Sequence, residues 1–176
     1  MISHKIILLG YMGSGKSAVG LKLGQAFDVD FIDLDDYIEQ SEGMTIPEIF
    51  KTKGELYFRA QERKCFEQLM NKSKPMIISL GGGTPCYYDT MDFIAIRKDD
   101  IAFYLKASIN TLSHRLFDEK SKRPLIAHLK SLDAVKEFIG KHLFERNNYY
   151  QKAHYEISTD EKSIDAIVSE IRKKLA

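Results

Sequence analysis

Tryptophan is absent, cysteine and proline are scarce (two and four residues), and neither sign of charge dominates, with 26 Lys+Arg against 25 Asp+Glu. Two cysteines, Cys65 and Cys86, cannot build a disulfide framework. Neither stands in a CxxC or other metal-ligand spacing with the five scattered histidines, so a reducing cytoplasm is the expected setting. Long hydrophobic runs are missing too. The first apolar run, Ile6 to Leu9, ends at Gly10. It falls short of the roughly 7 to 15 residues of a signal-peptide core and the roughly 20 of a membrane span. Secretion and membrane insertion are therefore not expected. A net charge of +1 gives no electrostatic reason to expect a duplex nucleic acid or an anionic membrane as partner. A small anion needs only a local pocket and stays open. No Pro/Ser-rich linker, internal repeat or low-complexity tract interrupts the chain, so a single domain over residues 1–176 is expected.

What is present suits a globular core. The chain is 44% hydrophobic and 29% charged, and a chain of this length buries about 70% of its surface on folding. Short β-branched or aromatic runs alternate with longer amphipathic stretches, the pattern of βαβ units, which predicts an α/β fold. Strands are expected at Lys5 to Leu9, Asp30 to Leu34, Met76 to Leu80, Ile101 to Leu105 and His154 to Ile157. Between them, Lys16 to Phe27 places Val19, Leu23 and Phe27 at helical spacing. Glu55 to Met70 does the same with Phe58, Cys65, Phe66 and Leu69, and Ile164, Ile167, Val168, Ile171 and Leu175 mark a closing helix. Residues 118–132, charged and containing a proline, read either as a mobile loop or as a solvated face.

Gly10-Tyr11-Met12-Gly13-Ser14-Gly15-Lys16-Ser17 fits GxxxxGK[ST] between an apolar strand and a helix, where a phosphate-binding loop works. The backbone N–H groups from Gly13 through Ser14, Gly15, Lys16, Ser17 and Ala18 would converge on the phosphates of a nucleotide, aided by the helix dipole. Lys16 would reach the β- and γ-phosphates, and the Ser17 hydroxyl suits Mg²⁺, a hard cation that prefers oxygen. There is no Asn-Lys-x-Asp guanine signature, no DxxG switch after a strand, and too little chain for a motor. A small-molecule kinase leads on size alone.

Asp33 and Asp35 follow the second strand. A period of two would put both carboxylates on one face at the end where ligands bind in open α/β sheets. One would hold the metal through water and the other would meet a substrate hydroxyl. Asp36 reads as a helix cap. Gly81, Gly82 and Gly83 follow the third strand, either as a flexible turn or as backbone brought close to a ligand. Glu55, Arg59 and Glu62 read as an exposed ion-pair ladder, and Arg146 as a surface charge near a helix end.

Taken together, these residues resemble the shikimate kinases. The resemblance rests on residues 10–17, Asp33-x-Asp35, Gly54-Glu55-x-x-Phe58-Arg59-x-x-Glu62, Ser79-x-Gly81-Gly82-Gly83, Lys122-Arg123-Pro124-Leu125 and Arg146-x-x-Tyr149-x-x-x-Ala153. It implies a five-stranded parallel sheet of the nucleoside monophosphate kinase type, with ATP as co-substrate and Mg²⁺ as metal. The implied reaction is phosphorylation of the 3-hydroxyl of shikimate, on the way to chorismate and the aromatic amino acids. It also implies roles. Lys16, Asp35 and Arg123 are catalytic; Ser17 and Asp33 hold the metal. Asp35 binds the hydroxyls of shikimate, Arg59 and Arg146 its carboxylate, and the backbone of residues 81–83 its other polar edge. Glu62 steadies Arg59, Arg123 descends on the phosphates from a mobile lid at 118–132, and Arg115 lies near the adenine opposite residues 158–162. A monomer is expected. The alternatives are another P-loop kinase resembling gluconate kinase, which gives no reason for Arg59, the three glycines and Arg146 together, or an inactive nucleotide-binding relative.

Overall fold

The computed structural model describes residues 2–120, 123 and 125–175. Five strands, β1 (Ile6–Leu9), β2 (Asp30–Asp33), β3 (Met76–Ser79), β4 (Ile101–Lys106) and β5 (Tyr155–Ser158), form one sheet in the order β2-β3-β1-β4-β5. Every pairing is parallel; Ile6 lies opposite Ile77 on one side and Ile101 on the other. All four residues of β1 are fully buried, as a central strand covered by helices on both faces demands.

The helices are α1 (Lys16–Phe27), α2 (Leu34–Glu42), α3 (Ile46–Lys53), α4 (Glu55–Met70), α5 (Thr90–Ala95), α6 (Ile109–Asp118), α7 (Leu132–Tyr150) and α8 (Ile164–Leu175). Alternation along β1 divides the core. Ile6 and Leu8 pack with Val19 and Leu23 of α1 and Ile167 and Ile171 of α8. Ile7 and Leu9 pack with Ile38 of α2, Phe66 of α4 and Ile139 of α7 on the other face.

The five predicted strands and three predicted helices are present, with strand ends moved by a residue. One shift matters chemically. Leu34 does not extend β2 but starts α2, because the Asp33 carboxylate accepts the N–H of Asp35 at 3.1 Å and caps the helix there. Asp36, expected as the cap, sits inside the first turn. The two aspartates therefore come together through a strand-to-helix turn and not through strand alternation. Within residues 118–132, Ile126 is fully buried in the α7-side core, while Leu125 is exposed. Lys122 and Pro124 of the Lys-Arg-Pro-Leu match lie outside the described residues.

Candidate active site

Gly13 and Gly15 take positive φ of 79° and 98°, where side chains with a Cβ are strained. The loop can thus reverse tightly after β1 and enter α1 with no side-chain cap on its first turn. The open N–H groups and the helix dipole make an anion cradle. Lys16 returns over this loop, its Nζ donating to the carbonyl oxygens of Gly10 (2.9 Å) and Tyr11 (3.0 Å). It is 9% exposed. Burial brings its pKa down to about 8, with Arg123 adding to the fall, against the upward pull of Asp35 and Asp33.

Ser17 Oγ donates to Asp33 Oδ2 at 2.9 Å, so a hydroxyl and a carboxylate stand side by side at the mouth of the cradle. Asp35, one residue into α2, is pushed up to about 7 by burial and by the carboxylates of Asp33 and Glu62, opposed by Lys16 and Arg59.

Arg59 and Glu62 of the supposed surface ladder turn inward, while Glu55 stays exposed. Glu62 is 2% exposed, and its Oε2 accepts from Arg59 Nη1 at 2.8 Å. The Arg59 side chain is only 13% exposed, with Glu55 a looser partner at 3.8 Å. Its guanidinium lies over the Tyr87 ring, 4.0 Å from the centroid, and Tyr87 is held by its hydroxyl to Glu55 Oε1 at 2.9 Å. Gly83 makes room for this guanidinium, since a Cβ there would come within 2.9 Å of Arg59 Nη2. Gly82 lies against the phosphate loop and Arg146, where a Cβ would stand 3.4 Å from Met12 N and 3.7 Å from Arg146 Nη1. Gly83 thus lets the backbone pass close to Arg59, while Gly82 lies at ordinary contact distance from Arg146.

Arg146 is half-buried, its guanidinium 5.7 Å from the centre of the Tyr11 ring, which corrects the surface-charge reading. Tyr11, second residue of the phosphate loop, is buried and shares a 3.0 Å hydrogen bond with His142 Nδ1. One turn beyond Arg146, Tyr150 donates its hydroxyl to the Gly82 carbonyl. Tyr149, the tyrosine singled out in the sequence, points away and is 37% exposed. The buried partner is its neighbour.

Arg115 donates to the Gly13 carbonyl at 3.0 Å and to the Thr159 carbonyl at 3.4 Å, tying the phosphate loop to the segment after β5. Arg123 pairs with Glu119 at 2.8 Å. A cavity of about 620 Å³ collects these groups. Gly13, Gly15, Lys16, Ser17, Ala18, Asp33, Asp35, Gly81, Gly82, Arg115 and Arg123 line it, and Arg59, Gly83 and Arg146 close around the glycine run. Thr84, Tyr11, Tyr87 and Tyr150 escaped the sequence reading. Tyr11 carried a signal as part of the phosphate-loop motif, and Tyr150 as the residue one helical turn from Arg146.

The sheet order and the phosphate loop after its central strand place the chain among P-loop kinases of the nucleoside monophosphate kinase type. The family is narrower. A family model for shikimate kinase matches residues 12–176, and the chain belongs to that family. It is 47% identical to a shikimate kinase of Flavobacterium johnsoniae over 98% of this chain and 99% of that one. A crystal structure of shikimate kinase from Bacteroides thetaiotaomicron superposes with a TM-score of 0.88 at 33% identity, covering 98% of each chain. A shikimate kinase from Acinetobacter baumannii in complex with shikimate matches with a TM-score of 0.85 at 28% identity, over 98% of this chain and 92% of that one.

Proposed function

We propose that the protein transfers the γ-phosphoryl group of ATP to the 3-hydroxyl of shikimate, giving shikimate 3-phosphate and ADP. The observation that carries the reading is a pair of anion grips on either side of Asp35. The loop around Lys16 suits phosphates, and Arg59 and Arg146, flanking the glycine run, suit a carboxylate, which a planar guanidinium binds bidentately. Membership of the shikimate kinase family supports the same substrate.

In this reading shikimate lies with its carboxylate between Arg59 and Arg146 and its ring against the backbone of residues 81–83. Asp35 accepts the proton of the 3-hydroxyl as the new O–P bond forms and the bond to the β-phosphate oxygen breaks. A carboxyl group whose pKa is raised toward neutrality is suited to that exchange. Phosphoryl transfer is mainly positioning and charge stabilisation. Lys16 leaves the two carbonyls it now binds for the phosphates, Arg123 leaves Glu119 to join it as part of a lid at 118–132, and Arg115 lies beside the adenine. Among the described residues no cluster of three or more His, Cys, Asp or Glu forms a metal cage. The adjacent hard oxygens of Ser17 and Asp33 fit Mg²⁺ shared with the nucleotide's phosphates, Asp33 acting through water. When bound, the ion neutralises phosphate charge. No helix among the described residues is long and apolar enough to cross a membrane, and a cytoplasmic monomer serving aromatic amino acid biosynthesis completes the reading.

ADP release measured with shikimate, with gluconate and with neither tests it. ADP formation dependent on shikimate is expected. Equal rates in all three, or dependence on gluconate, would overturn the assignment.

A further inference from the structure

Thr84 opens a single 3₁₀ turn, Thr84–Cys86, directly after the glycine run. It is 2% exposed. Its hydroxyl lies 2.6 Å from Glu62 Oε1, and because an ionised carboxylate only accepts, the threonine is the donor. The other oxygen of Glu62 accepts from Arg59 Nη1. Each oxygen of one buried carboxylate is thus committed, one to a neutral donor from the glycine loop and one to the cation on its own helix.

A third oxygen stands close by. A Cβ on Gly81 would meet Asp35 Oδ1 at 2.9 Å, Thr84 Oγ1 at 3.0 Å and Glu62 Oε1 at 3.4 Å, so the three atoms surround the space a side chain would fill. Thr84 is the neutral donor on the Glu62 side of this space.

We propose that Thr84 is a positioning residue for the substrate carboxylate site. By giving its one hydroxyl proton to Glu62 Oε1, it fixes Glu62 as the brace of Arg59. The role rests on the shikimate reading above. It acts through Arg59, not through contact with the reacting atoms.

The test is a set of variants at one position, read by steady-state kinetics. Thr84→Val keeps the shape and deletes the hydroxyl; Thr84→Ser keeps the hydroxyl. Thr84→Val is expected to raise the KM for shikimate about tenfold, the scale of one lost hydrogen bond to a charged group, with the KM for ATP unchanged. Thr84→Ser should lie within about twofold of wild type. In an Arg59→Ala background the Val substitution should cause no further rise, since the path runs through Arg59. Should Thr84→Val fail to fold, Thr84→Ala against Thr84→Ser gives the same comparison. A wild-type shikimate KM in the Val variant, parallel rises in both KM values, no rescue by Ser, or a full effect without Arg59 would each overturn the role. A wild-type enzyme that does not phosphorylate shikimate would instead overturn the substrate reading and this role with it.

Discussion

At the residue scale the chemistry turns on Asp35, a carboxyl group whose surroundings oppose its charge. Burial comes first and the carboxylates of Asp33 and Glu62 second, moving it from 3.8 to about 7. Because the folded value exceeds the unfolded one, Asp35 favours the folded state at low pH and loses that contribution as pH rises through 7. Asp35→Asn is therefore expected to raise Tm at pH 8, by about 2–4 °C for each kcal/mol recovered, and to leave it unchanged near pH 4. The same substitution should cut shikimate phosphorylation by at least about 10²-fold, the lower range for a lost proton acceptor. Calorimetry at both pH values, with rates beside it, checks both halves. A lower Tm at pH 8 would show that the carboxylate is held by favourable contacts.

At the element scale α7 carries more of the site than its sequence announces. His142, Arg146 and Tyr150 stand one turn apart on one face, the first two meeting Tyr11 and the third Gly82. Tyr150→Phe, which removes the hydrogen bond to Gly82, is expected to cost about 1 kcal/mol of stability and to raise the shikimate KM. Tyr149→Phe should stay within about 0.5 kcal/mol, as surface changes do. Urea unfolding of the two variants separates the tyrosines. Polar residues also explain why α7 was not read from sequence, since the stripe of Val135, Ile139 and Leu143 is followed on the next turn by Arg146 and Asn147. α1 and α8 were legible from apolar positions at helical spacing, and α4 from Phe58, Cys65, Phe66 and Leu69 although the buried Glu62 breaks its inner face. The start of α2 was hidden for a related reason, because its cap, Asp33, also belongs to the site and Leu34 prolongs an apolar run. Arg59 and Glu62 had the spacing of a surface ladder, and nothing in one sequence shows that Glu62 points inward.

At the scale of the whole molecule, the parallel sheet brings the loops after β1, β2 and β3 to one end, and α4 and α7 add one arginine each. The phosphate loop and the fold class were legible because their signals are local, whereas the cleft depends on residues far apart in the chain. If both arginines hold one carboxylate, Arg59→Ala and Arg146→Ala should each raise the shikimate KM by an equivalent of about 2–5 kcal/mol with the KM for ATP nearly unchanged. The double variant should lose less than the sum, as partners of a shared group do. Unchanged shikimate KM in both single variants would remove the substrate from this wall of the cleft. The product itself gives the most direct reading of the reaction. Phosphorus NMR of a reaction of the purified protein with ATP, a magnesium salt and shikimate should show ADP and one new phosphomonoester coupled to the proton on carbon 3 of the ring. ATP turnover with no such signal, or a phosphate on another hydroxyl, would contradict it.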